Sequence, residues 1–216
     1  MRDYTENPGG QRVLRSNRIP NFYSIRDEAR SFSSVVGLYR MEWSLIDGDT
    51  PVPIKMALHS EGSLTFLGAR LHAGRFFTPE EEAAGLDANV TVLSHSFWQQ
   101  HFGGRHEVIG STVRIEDRVV TVIGIVAPGF RFPYDAEAWM PERFSPTAET
   151  SVAVFARLAP GVSQQQAEQE LLAIATRAEA VRPVANRGVR FAMVGVREEF
   201  ADSRDSAQAA VFDPAR

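Results

Sequence analysis

The 216-residue sequence predicts an α+β fold in two subdomains, and three observations carry that prediction. Val152 to Leu158 reads as a strand, Ser163 to about Val181 as a helix, and Val189, Phe191 and Met193 alternate as a last strand. Residues 152–196 therefore read as one strand–helix–strand unit, with the connection on one face. The middle of the chain is instead built of short strands and short helices. Breaks near 68–72 and at Arg143 to Thr150 set that middle apart. The expected division is a flexible segment 1–20, an outer subdomain made of 21–68 plus 150–196, an inserted smaller mixed β/α subdomain 69–149, and a flexible segment 197–216.

The elements follow in order. Pro20-Asn21 starts a helix with Asn21 as its expected N-cap, and Phe22, Ile25, Ala29, Phe32 and Val36 form one apolar stripe. Val35 to Ile46 is extended, Asp47-Gly48-Asp49 turns, and Val52 to Leu58 returns. Pro51 and Pro53 cannot donate to a ladder, so they confine the start of that strand to an edge or an end. Ser60 to Leu67 is a short helix, with Gly68 at the left-handed position after it. Thr78-Pro79-Glu80-Glu81 is a capping box with proline in the first turn. Val90 to Leu93 is a short buried strand, and Ser94 caps the helix that Gly103-Gly104 ends. Ser111 to Glu116 alternates, Asp117-Arg118 turns, and the continuous β-branched run Val119 to Val126 reads as a central strand.

Composition excludes several classes. Net charge is −4, from 23 Lys+Arg against 27 Asp+Glu, and no basic stripe marks a nucleic-acid binder. The absence of cysteine rules out disulfides, thiolate nucleophiles and cysteine-based zinc sites. No run of about 18 apolar residues is present, and residues 1–20 are too polar for a signal peptide, so the chain itself is expected to be soluble.

The residues that invite chemistry read better as structure. Of the five histidines, His95, His101 and His106 stand closest, six and five apart across a helix end. That spacing suits a zinc site poorly, and His59 and His72 lie elsewhere in the sequence. Glu80, Glu81 and Glu82 complement a helix N-terminus. Ser94-His95 lacks a third partner, no Gly-x-Ser-x-Gly occurs, and no glycine-rich phosphate loop occurs. No catalytic residue, metal ligand or cofactor is therefore expected. Phe130, Arg131 and Phe132 concentrate aromatic surface beside a turn. Packing across a β-rich layer is the first expectation for them, and contact with a protein partner the second.

These segments together resemble the periplasmic core domain of MacB-like (FtsX-related) ABC transporter permeases over roughly residues 20–200. The resemblance rests on the order of six pieces. They are Asn21 to Arg26 with Phe32; Leu67-Gly68 through Gly74-Arg75-Phe76-Phe77-Thr78-Pro79-Glu80-Glu81; Val90 to Ser94 with Phe97-Trp98; Val122 to Val126; Phe130 with Pro133; and Trp139-Met140-Pro141. The variant looks closest to permeases common in acidobacteria. The resemblance implies a porter-like α/β sandwich with a βαβ unit and an inserted mixed subdomain. It places them on the periplasmic face of the bacterial inner membrane, anchored by helices outside this chain. It also implies coupling to an ATPase subunit or domain, a periplasmic adaptor or other transporter subunits as partners, and no catalysis. Two alternatives remain. One is a soluble peptide- or ligand-binding module using the groove between the subdomains. The other is a hydrolase working through Ser94/His95 or Glu80–Glu82.

Overall fold

A computed structural model describes residues 1–6, 12–47, 50–133 and 135–195. In chain order the elements are β1 (Arg2–Glu6), β2 (Arg12–Arg15), β3 (Asn17–Arg18), α1 (Ile19–Glu28), β4 (Phe32–Asp47), β5 (Thr50–His59) and α2 (Ser63–Phe66). Then come β6 (Leu71–Gly74), α3 (Pro79–Ala84), β7 (Val90–Leu93), α4 (His95–Phe102), β8 (Thr112–Ile115) and β9 (Arg118–Val126). The last are β10 (Ala138–Pro141), β11 (Ser151–Leu158), α5 (Gln164–Val181) and β12 (Arg190–Ala192). The described residues divide into two compact units, one of Met1–Gly37 with Phe144–Gly195 and one from Leu38 to Arg143.

The first unit is α1 and α5 with strands from both ends of the chain. Ile25, Phe32, Ala167, Leu171, Ile174, Ala175, Ala178 and Phe191 form its core. The capping box Ser163–Gln166 opens α5 as expected, Ser163 Oγ accepting from the Gln166 N–H at 3.2 Å. The first 20 residues, expected to be flexible, instead contribute structure. β1 pairs antiparallel with β2 and with β12, in the order β12-β1-β2. β11, α5 and β12 do follow one another as strand, helix and strand, and the two strands lie in different sheets: β11 neighbours β3 and β4 while β12 joins β1. Helix α1 stops at Glu28, so the stripe that continues to Phe32 and Val36 passes from helix into β4. Its cap is Arg18, with Pro20 in the first turn. Asn21 lies inside the helix, where its Nδ2 donates to Asp3 Oδ2 at 2.8 Å.

The second unit is a ring of strands. β4 pairs with β5, β5 with β10, β10 with β7, β7 with β9, β9 with β8, and β8 with β4. Six strands so close on themselves, with the β8–β4 join made by two residue pairs, Leu45↔Ile115 and Ile46↔Arg114. β9 has β7 along one edge and shares the other between β8, at Arg118–Thr121, and β6, at Gly124–Val126. From Val122 to Val126 both faces of the strand are buried, while Val119 near its start is 60% exposed. Ile54, Met56, Leu58, Leu93, Val120, Val122, Ala138 and Met140 pack in one cluster with Phe97, Trp98 and Phe102 of α4. Ala57, Val90, Val92, Ile123 and Trp139 form a second cluster, against Phe76, Phe77 and Phe130. Pro51 and Pro53 pair with β4 ahead of the Met56–His59 stretch that β10 covers, so their missing donors cost no ladder bond there.

The unit boundary falls earlier than expected, at residue 38 instead of 69. The long hairpin β4–β5 sides with the middle segment because β5 carries β10 along its second edge, Met56↔Ala138 to His59↔Pro141. The segment 197–216, expected to be flexible, lies outside the described residues, as does the turn at Gly48-Asp49.

Candidate functional site

Ser94, Glu81 and Glu82 each have structural partners. Ser94 is fully buried and its Oγ accepts from the Phe97 N–H at 3.1 Å, the N-cap of α4. It lies 3.2 Å from Ser96 Oγ. A hydroxyl held there caps a helix and is closed to a substrate. Glu81 completes the capping box of α3, accepting from the Thr78 N–H at 2.9 Å. The Arg75 guanidinium grips the same carboxylate through two bonds of 2.7 and 2.8 Å and holds its pKa below the ordinary glutamate value. Glu82 accepts from the Gly62 N–H at 3.0 Å, and burial pushes its pKa up. Glu81 and Glu82 thus serve separate structural partners.

The loop Gly74-Arg75-Phe76-Phe77 is explained by the same geometry. Arg75 N donates to Ile123 O at 2.9 Å where β6 crosses β9. A Cβ on Gly74 would stand 2.3 Å from Ile123 O, and one on Gly124 2.3 Å from Arg75 O. Only glycine at both positions lets the two backbones meet. Phe76 and Phe77 then drop onto the second core cluster, Phe77 5.2 Å from the His59 ring.

The histidines regroup. His72, His95 and His106 gather round Trp98, their ring centroids 5.2, 5.3 and 5.4 Å from its indole. His72 and His95 lie 4.8 Å apart, and burial with the His72 charge lowers the pKa of His95. His101, which the sequence places with His95 and His106, stacks on Phe97 at 5.3 Å instead. Among the described residues no group of three or more His, Asp and Glu side chains is placed to hold a metal ion. His59 is 1% exposed, and burial lowers its pKa to about 4. No local spacing signals that His72 would join this group, because β6 reaches α4 only through the sheet.

The aromatic segment at 130–132 is corrected in part. Phe132 is 0% exposed, so it is core and no partner can reach it. Phe130 and Arg131 are half-buried, Phe130 packing on Trp139 at 5.4 Å and Arg131 facing Asp135 at 3.7 Å.

Each unit also carries a concavity that spacing does not disclose. In the second unit a groove of about 770 Å³ runs between the end of α4 and the strands β4 and β8, lined by Leu45, Phe102, Val108, Val113, Arg105 and Arg114 among others. In the first unit a smaller one of about 310 Å³ lies between α1 and α5, beside Tyr23, Arg177 and Arg182.

The fold and these sites define a two-unit α+β domain whose marked residues cap, turn and pack. The profile of the MacB-like periplasmic core domain matches residues 7–174, and the chain belongs to that family. Three solved structures share the fold. The extracellular domain of the ABC-type transporter YknZ from Gram-positive bacteria superposes with a TM-score of 0.64 at 14% identity, covering 89% of this chain and 99% of that one. The periplasmic region of MacB from Actinobacillus actinomycetemcomitans gives 0.60 at 17%, covering 85% and 84%. A permease-protein domain from Porphyromonas gingivalis gives 0.64 at 18%, covering 88% and 84%. No curated protein matches. Among the described residues no helix is long and apolar enough to cross a membrane.

Proposed function

We propose that this domain is the periplasmic part of an ABC transporter permease and that its work is mechanical, carrying movement of membrane helices to a partner or a transported substrate. The observation that carries this reading is the family match over residues 7–174. The geometry supports it, because the candidate nucleophile and acids are spent on helix caps and an arginine clamp. Among the described residues the chain passes between its two units at Gly37/Leu38 and Arg143/Phe144, which suits a body whose parts shift together with the helices that bear them. The motor is an ATPase subunit or domain acting through the membrane helices, and the receiving partner is a periplasmic adaptor or another transporter subunit. The domain has no turnover of its own in this scheme.

The test uses the full permease with its ATPase in nanodiscs. Cysteines replace Leu172 in the first unit and Val119 in the second, which are 54% and 60% exposed, and carry a donor and an acceptor dye. Transfer efficiency is expected to change between the nucleotide-free and ATP-trapped states. Unchanged efficiency in a transporter that still moves its cargo would refute the mechanical reading.

A further inference from the structure

The groove of the second unit combines three features that the family match does not address. Its floor is apolar, formed by the packed side chains of Leu45, Phe102 and Val108 with half-buried Ile46 and Val113 beside them. Its volume of about 770 Å³ falls within the range of small-molecule sites, about 300–1,000 Å³. Its rim carries two exposed arginines, Arg105 and Arg114, from different elements. Each uses only its Nε, Arg105 toward Phe102 O at 3.2 Å and Arg114 toward Glu116 O at 3.2 Å, and among the described residues neither is paired with a carboxylate. The one acid on the lining is Glu107, so the rim carries a net charge of +1.

A shape of this kind selects a ligand with an apolar chain and an anionic head. The floor removes the chain from water, at about 25 cal/mol for each Å² buried. Two guanidiniums, each with free donors, match the oxygens of a phosphate or carboxylate head. The loop bearing Arg105 is held in place, because the Trp98 indole N–H donates to Arg105 O at 2.8 Å. We propose that this groove, bounded by Leu45, Phe102, Val108, Arg105 and Arg114, binds a single-chain anionic amphiphile. The inference stands on the groove alone and does not depend on the transport reading.

The same bond makes Trp98 a reporter. The full 216-residue chain is titrated with dodecyl phosphate below its micelle concentration, with indole fluorescence and calorimetry as readouts. Saturable one-to-one binding is expected. Inorganic phosphate alone and uncharged dodecyl maltoside are each expected to bind at least ten-fold more weakly. The double variant Arg105→Gln/Arg114→Gln should weaken dodecyl phosphate at least ten-fold while circular dichroism stays native. Glu107→Gln should tighten it several-fold, which keeps the test valid even if the double variant unfolds. Three results would each overturn the proposal: no saturation, equal affinity for the maltoside, or no response to both the arginine and the glutamate changes. Binding of inorganic phosphate as tight as that of the amphiphile would reduce the site to a bare anion site and also overturn it.

Discussion

Acid pH should pull the two units in opposite directions, through one buried group in each. His59, in the second unit, is 1% exposed, and burial lowers its pKa from 6.5 to about 4, against a Ser60 carbonyl bond that favours its proton. Asp3, in the first, is 5% exposed, and burial raises its pKa from 3.8 to about 6. Bonds from Asn21, the Arg18 N–H and Asn17 oppose that rise. Both groups are closed to solvent, so screening does not discount them. The unfolded chain takes a proton on His59 before the folded chain does. The stability this neutral imidazole gives is therefore present above pH 6.5 and lost as pH falls toward about 4. Asp3 has the reverse sign. The folded chain keeps its proton longer, so stability is greatest below pH 3.8 and falls as pH rises through about 6. At 1.36 kcal/mol for each pH unit of displacement, each group spans about 3 kcal/mol in full. Between pH 7.5 and 5 that leaves about 2 kcal/mol lost through His59 and about 1 kcal/mol gained through Asp3. The two partly cancel in the whole chain, so variants are needed to separate them. Urea unfolding of wild type, His59→Gln and Asp3→Asn at both pH values isolates each contribution. The advantage of wild type over His59→Gln should shrink by about 2 kcal/mol at pH 5. Its standing relative to Asp3→Asn should improve by about 1 kcal/mol. Shifts of the same sign in both variants, or none in either, would refute the reasoning.

Three further outcomes follow from the packing. Gly124→Ala sets a methyl group 2.3 Å from the Arg75 carbonyl oxygen, with only backbone to move, and should cost about 2–3 kcal/mol in chemical unfolding; a change below about 0.5 kcal/mol would mean the crossing is looser than described. Phe132→Ala should cost about 3–5 kcal/mol, as for any large core aromatic, whereas a surface contact would lose partner binding with stability intact. Ser94→Ala should lower stability by about 1 kcal/mol through the lost cap and leave cargo movement by the full transporter unchanged; loss of transport with normal stability would show that the hydroxyl does more than cap α4.

Much of the second unit, and helix α5 of the first, is readable from residues alone because the signals are local. Thr78 with Glu81, Ser163 with Gln166, and Ser94 before Phe97 each cap a helix within three residues, and each cap forms. Pro51, Pro53 and the run Val122 to Val126 announce their places in a sheet through a missing donor and through two apolar faces. The first unit was harder. The apolar stripe from Phe22 to Val36 crosses the end of α1 without a break, since the spacing of three and four happens to continue into an extended strand. The opening residues carry no strand pattern strong enough to stand alone, and their partner, β12, lies nearly the whole chain away.

Caps, glycine turns and the family signature were thus determined by the sequence itself, because each depends on groups a few residues apart. Tertiary structure decided that six strands close into a ring, that β12 leaves β11 for β1, and that His72 meets Trp98. Those outcomes depend on which distant edges find each other once loops have closed, and the entropy of loop closure leaves no mark on any single stretch of residues.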